Sequence, residues 1–257
     1  MKVKVLGQQL SLYVVEGEGP LTGLFLHAVG GNSRMWAYQM RHLKSFGRMI
    51  SVDIPAFSGD KMPTGITSLS QYVDLMTGLL DELGVDKAVW IGNSLGGRIS
   101  IEAAVKRPER VIGLGLLCTA GVWLGEVREK IPTEISKDEF DKAVFYQPEK
   151  YGMVVTEAGK RQNLEARRRY EILAEQTEDM NFRDRLHEIQ VPTHIIWGRH
   201  DGVVKVEIGE YIAAHVLGAK LLVLEAAAHI PQVEQPQAVN ADLEELFQTV
   251  AAAAHTS

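Results

Sequence analysis

The stretch Gly92-Asn93-Ser94-Leu95-Gly96-Gly97 constrains the fold of this chain more than any other. Before it, Lys87-Ala88-Val89-Trp90-Ile91 is a short β-prone apolar run. After it, Arg98 to Lys106 carries apolar residues at helical spacing. Strand, abrupt turn and helix form the setting in which G-x-S-x-G makes a nucleophile elbow, with the serine at the tip of a strained turn. Gly92 and Gly96 supply small residues where strand and helix must pass close together. Ser94 is the expected nucleophile.

The hydrophobic pattern around this stretch alternates strand with helix. Val3 to Leu6 and Leu10 to Val15 read as a hairpin, and Leu21 to His27, Arg48 to Asp53, Val111 to Leu117, Thr193 to Trp197 and Leu221 to Leu224 as further strands. Helices are expected around Trp36 to Leu43, Leu69 to Leu83, Val206 to Leu217 and Pro236 to Val250, with a frayed tail from Ala251 to Ser257. Such alternation predicts an α/β fold, a mostly parallel sheet wrapped by helices on both faces. One segment departs from it. Residues 121–187 lack a buried-strand pattern and hold charged helical stretches, Lys137 to Phe145 and Gln162 to Thr177. The expected division is therefore a core of residues 1–120 and 188–257 with a helical lid inserted at 121–187, beside the strand ends where open α/β sheets bind ligands.

Composition narrows the function. The 257 residues suffice for one large α/β domain, and 46% hydrophobic with 23% charged residues supplies an ordinary core. A net charge of −6 argues against nucleic acid or an anionic membrane as the partner. Cys118 is the only cysteine, so no internal disulfide forms. The uncharged stretch from Val111 to Gly125 is shorter than the ~20 residues of a membrane span, and Met1 to Val5 alternates like a strand rather than a signal region. A cytoplasmic enzyme without cofactor or metal, acting on a small molecule, is expected. Homodimerisation is left open.

A serine hydroxyl needs a base beside it and a third group to orient that base. His229, in Glu225-Ala226-Ala227-Ala228-His229-Ile230-Pro231, follows a predicted strand and precedes the last helix. Asp201 ends the strand of Ile195-Ile196-Trp197-Gly198-Arg199-His200. The order Ser94, Asp201, His229 suits an elbow on such a sheet. His200 is a rival base, but it adjoins the acid in sequence. The alternative acid position, after the next strand, reads Leu117-Cys118-Thr119-Ala120 and holds no carboxylate. The oxyanion formed by attack on a carbonyl needs two N–H donors, expected from the backbones of Leu95 and Val29. His27 is read as a packing and hydrogen-bonding residue.

The set Leu26-His27-Ala28-Val29-Gly30-Gly31, Gly92-Asn93-Ser94-Leu95-Gly96-Gly97, Trp197-Gly198-Arg199-His200-Asp201 and Ala228-His229-Ile230-Pro231 resembles the α/β-hydrolase superfamily over nearly the whole chain. The sequence departs from the usual pattern at Ala28 and Ala56, where glycine is commoner, and both changes are expected to narrow the pocket. Asn93 and the lid residues Arg169-Tyr170-Glu171 resemble meta-cleavage-product hydrolases, which cut a carbon–carbon bond in vinylogous diketo acids. The resemblance implies that Asn93 and Arg169 contact the polar end of substrate. At ~100° per residue Arg169 falls near the Ala166/Leu173 face of its helix, whereas Arg167 and Arg168 point away. The three arginines with Glu165 and Glu171 fit a solvated face equally well. Ile230 stands where those enzymes carry tryptophan. Gly96-Gly97-Arg98 also resembles an enzyme of menaquinone synthesis whose arginine binds a substrate carboxylate. Trp123 and Ile230 complete the expected substrate contacts. The function expected is a serine hydrolase of the carboxylesterase type, acting on small esters or lactones. The alternatives are carbon–carbon bond hydrolysis and a ligand receptor that retains the triad.

Overall fold

The computed structural model describes residues 1–58, 65–125, 136–152, 156–178 and 180–254. Residues 126–135, 153–155 and 179 of the expected insertion and residues 255–257 of the expected tail lie outside them.

β1 (Lys2–Val5) and β2 (Gln8–Val15) pair antiparallel around a turn in which Leu6 and Gly7 both take positive φ, 47° and 81°. β3 (Leu21–Leu26) leads through a 3-10 turn into α1 (Ala37–Leu43), and β4 (Gly47–Val52) into α2 (Gln71–Glu82). β5 (Ala88–Asn93) meets α3 (Leu95–Lys106) with one residue, Ser94, between them. α3 thus begins well before Arg98, because Leu95, Gly96 and Gly97 are already wound into it. β6 (Val111–Leu117) is followed by α4 (Lys137–Val144), α5 (Pro148–Tyr151) and α6 (Glu157–Glu175). Ser136 and Glu139 close a reciprocal capping box at the start of α4, and Thr156 caps α6 through the Gly159 N–H. β7 (Thr193–Gly198), α7 (Val206–His215), β8 (Lys220–Leu224), α8 (Pro231–Glu234) and α9 (Pro236–Ala254) complete the order. α9 carries helix as far as Ala254, so the first residues of the expected tail are ordered into it.

The eight strands form one sheet in the order β1-β2-β4-β3-β5-β6-β7-β8, parallel from β4 to β8. Period-2 alternation sends neighbouring side chains to opposite faces. Leu24, Leu26, Trp90 and Trp197 pack with α2, α3 and α7 on one face. Phe25, Val89, Ile91 and Ile196 pack with Trp36 of the 3-10 turn, Met40 and Leu43 of α1 and Val239, Leu243 and Phe247 of α9 on the other. Full burial of each large apolar side chain contributes ~1.5–3 kcal/mol, so two such layers hold the central strands firmly.

From β3 the chain crosses to β4 on one side, and from β5 to β6 on the other. The crossovers therefore part above the C-terminal ends of β3 and β5, and a crevice opens there. Among the described residues no helix is long and apolar enough to cross a membrane.

Candidate active site

Ser94 takes φ 53° and ψ −110°, a backbone conformation that non-glycine residues rarely adopt. Such strain costs ~1–3 kcal/mol and persists only where the surroundings enforce it. Here they do. Ser94 N–H donates to Leu117 O at 3.0 Å, and Ser94 O accepts from Arg98 N–H at 3.0 Å and Ala120 N–H at 3.1 Å. A Cβ on Gly92 would fall 2.2 Å from the Gly96 carbonyl carbon, and one on Gly96 2.1 Å from Leu26 O. Only bare backbone lets β5, α3 and β3 approach this closely.

His229 lies in the loop between β8 and α8, and Asp201 in the loop after β7. His229 Nδ1 and Asp201 Oδ2 are 2.8 Å apart, with both side chains buried. Asp201 Oδ1 accepts from Val203 N–H at 2.7 Å and Val204 N–H at 2.9 Å. A carboxylate fixed in this way only accepts, so Nδ1 of the neutral ring carries the proton and Nε2 presents its lone pair. Cys118, at the end of β6, sends Sγ toward Ala228 O at 3.5 Å. Burial and the nearby Asp201 charge push its thiol pKa up, so it stays protonated. The ligand atoms of Cys118, Asp201 and His229 cluster within 4.8 Å, but they serve this hydrogen-bonded set. In a second cluster His194 pairs with Asp242 at 2.9 Å, and Glu245 with Lys220.

The other histidines of interest are differently placed. His27 Nε2 accepts from Ile54 N–H at 2.8 Å and Nδ1 lies 2.7 Å from Ala28 O, so both ring nitrogens serve the backbone. His200 is exposed and packs on the Tyr146 ring at 4.7 Å between centroids.

Ser94 and His229 both line one cavity of about 560 Å³. Its wall comes from the loop after β3 (Ala28 to Asn32), from α4 (Phe140, Val144) and α6 (Asn163, Leu164, Arg167), and from Val203, Ile230 and Val233. It is mostly apolar with a few polar groups, as small-molecule sites are. Val29 and Ile230 lie on this wall, Asp201 stands behind His229, and Leu95 is buried at the start of α3.

Three expected substrate contacts lie elsewhere. Asn93 is fully buried, and its Nδ2 donates to Leu117 O at 3.1 Å and His229 O at 3.0 Å. It ties the elbow to the His229 loop and is absent from the cavity wall. Trp123 packs against the core and exchanges hydrogen bonds with Asn181. Arg169 reaches the other way, donating to Ala56 O at 3.3 Å. Ala56 keeps the left-handed backbone (φ 74°) that favours glycine, but it is buried away from the cavity, which only Ala28 borders. Arg98 is also no ligand of this cavity. It is buried on α3 against Glu102 at 2.6 Å, with Phe182 beneath the guanidinium.

Arg167, expected to point away, lines the cavity with its guanidinium 4.8 Å from the Phe140 ring centroid. The signal was present in the spacing. Lys160, Asn163, Leu164 and Arg167 form an i, i+3, i+4, i+7 stripe, and all four border the cavity.

The sequence matches the alpha/beta hydrolase family over residues 24–242. The chain belongs to that family. Among the alpha/beta hydrolases it is similar to the 3-oxoadipate enol-lactonase 2 of Acinetobacter baylyi, 27% identical over 229 residues, covering 84% of this chain and 85% of that protein. A 2-hydroxy-6-oxononadienedioate/2-hydroxy-6-oxononatrienedioate hydrolase of Paraburkholderia phymatum is 26% identical over 251 residues, covering 87% of this chain and 86% of that protein. The enol-lactonase structure from Burkholderia xenovorans superposes with a TM-score of 0.80 at 23% identity, over 97% of this chain and 100% of that one. The meta-cleavage product hydrolase structure from Pseudomonas fluorescens does so at 0.78 and 23%, over 97% of each chain. These alpha/beta hydrolases share the fold.

Proposed function

We propose that this alpha/beta hydrolase is a serine hydrolase of small carboxylic esters or lactones. The observation that carries the reading is that strained Ser94 and Asp201-paired His229 open onto one largely apolar cavity. Ser94 Oγ attacks the carbonyl carbon while His229 Nε2 takes its proton, and Asp201 holds the resulting imidazolium. Neighbouring N–H groups are engaged elsewhere: Gly30 with Phe57 O, Gly31 with Ala28 O and Ser94 with Leu117 O. This supports Val29 and Leu95 as the oxyanion donors. The imidazolium protonates the leaving alkoxide, and water activated by the same ring releases the acid and restores Ser94. The helices between β6 and β7 serve as the lid, since α4 and α6 roof the cavity.

Arg167 favours a second reading. The cavity wall carries Arg167 and Lys160 beside the Lys137–Asp141 pair, an excess of cations that suits an anionic substrate, so hydrolysis of the carbon–carbon bond in a vinylogous diketo acid is the alternative, on the same Ser94, Asp201 and His229. The relative named for 2-hydroxy-6-oxononadienedioate supports this class.

The deciding experiment compares kcat/KM on p-nitrophenyl esters of increasing acyl length and on vinylogous diketo acids, for wild type, Ser94→Ala and Arg167→Leu. Ester preference, abolished in Ser94→Ala and unchanged in Arg167→Leu, is the expected result. Diketo-acid preference with a raised KM in Arg167→Leu establishes the alternative. Turnover that survives Ser94→Ala overturns both, and no turnover of either panel favours a receptor.

A further inference from the structure

The Asp201 hydrogen bond orients the imidazole ring but does not set where the backbone of His229 lies. That backbone is held from two sides, by Asn93 of the elbow through His229 O and by the inserted helices. Ala143 to Gln147, at the end of α4, reaches both the Asp201 loop and the His229 loop with α8. Ala143 O accepts from Gly202 N–H at 3.0 Å, and Val144 O accepts from His229 N–H at 2.9 Å. Tyr146 and Gln147 donate their N–H groups to Glu234 Oε1, at 2.8 and 3.3 Å. The second carboxylate oxygen, Oε2, accepts from Ala228 N–H at 2.7 Å, one residue before His229. Tyr151 O–H donates to Glu234 O at 3.3 Å. Glu234 is only 5% exposed, so water is a poor substitute for these partners.

The chemistry of this junction favours an ionised carboxylate. Donors approach both oxygens, and the anion, an acceptor only, serves them best, whereas protonation takes part of one oxygen's acceptor capacity. An amide would turn its NH2 toward one of the donors and leave a buried N–H without a partner. We propose that Glu234 is a positioning residue whose anion registers the inserted helices against the Ala228-His229 backbone, and thereby the imidazole against Ser94. This rests on the serine-hydrolase reading of the site.

The groups around Glu234 are Lys150 and Tyr151 on α5, Cys118 at the end of β6, His229 with its partner Asp201, and His200 against Tyr146. Burial raises the Glu234 pKa above the ordinary carboxylate value, against the pull of its three N–H donors and Lys150. Acidification therefore protonates it before ordinary carboxylates.

The test has a spectroscopic and a kinetic arm. In wild type, the amide protons of Ala228 and Tyr146 should titrate with one shared midpoint, and Glu234→Gln should abolish that transition. The Val203 and Val204 amides, which report Asp201, serve as controls. In parallel, wild-type kcat/KM on a short ester should fall on the acid side more steeply than one proton allows. Glu234→Gln should lower kcat at least tenfold, change KM little and leave a one-proton acid limb. Unlinked midpoints, or a variant with wild-type kcat and acid limb, overturn the proposal. A wild type without Ser94-dependent turnover sinks the hydrolase reading instead, and the amide titration then decides the Glu234 coupling alone. If Glu234→Gln does not fold, the wild-type titration decides it.

Discussion

Asp201 meets His229 through Oδ2 and two backbone N–H groups through Oδ1, so its two oxygens have different duties. Asparagine cannot perform both. With its oxygen toward Val203 and Val204, its NH2 faces the imidazole and demands the opposite tautomer, which moves the ring proton to Nε2. Asp201→Asn should therefore lower kcat on the preferred ester by about four orders of magnitude, with KM nearly unchanged. A fall of less than tenfold would show that another group orients His229. The convergence of Ser94 and the Asp201–His229 pair at one end of the sheet was legible in the sequence because each follows an apolar strand, and strand ends converge on one edge of a parallel sheet. Arg167 was misread for a definite reason. Ala166, Tyr170 and Leu173 mark the face of α6 that packs on the core rather than on the cavity, so helical phase measured from that face favours Arg169. At ~100° per residue the Lys160-Asn163-Arg167 stripe lies about a quarter turn away, and Arg169 nearly opposite Arg167.

At the scale of elements, the elbow is a contact among backbones. The Cβ of Gly96→Ala would press on Leu26 O, an atom of the central strand that cannot swing aside. Separating α3 from β3 should cost at least the ~1–3 kcal/mol typical of overpacking, seen as a lower urea midpoint and Tm. Activity should fall further than stability, since Ser94 and the Val29 loop sit on the two elements pushed apart. Wild-type stability with intact turnover would mean that the backbone yields at little cost. Elements buried on both faces were the readable ones, because β3 to β7 are near-continuous apolar runs. The four-residue helices α5 and α8 were not, as neither is long enough to show a helical period. Glu234 closes α8, so the residue that joins the inserted helices to the His229 loop fell where periodicity is silent.

At the scale of the molecule, two buried acids respond to pH in opposite senses. Glu102 is desolvated, but Arg98, Ser70 and Lys106 outweigh that and lower its pKa below the ordinary 4.5. Its contribution to stability is complete above the unfolded value and is lost only as pH falls through the lower folded one. Glu234 is shifted upward by burial. Its linked contribution is complete below the unfolded value and is lost as pH rises through the folded one, so acidification from neutrality removes no stability there. Neither acid unfolds the chain between neutrality and the ordinary carboxylate range, and the surface ion pairs add little to that balance. Activity behaves otherwise, because protonated Glu234 holds Ala228 and Tyr146 together less firmly and a protonated imidazole is no base. On acidification kcat/KM should therefore collapse while far-UV and near-UV circular dichroism keep their native form. The activity midpoint should lie above the unfolding midpoint, because Glu234 is shifted upward and Glu102 downward. Coincident midpoints would mean that acid inactivation is unfolding, with the site and its scaffold titrating as one.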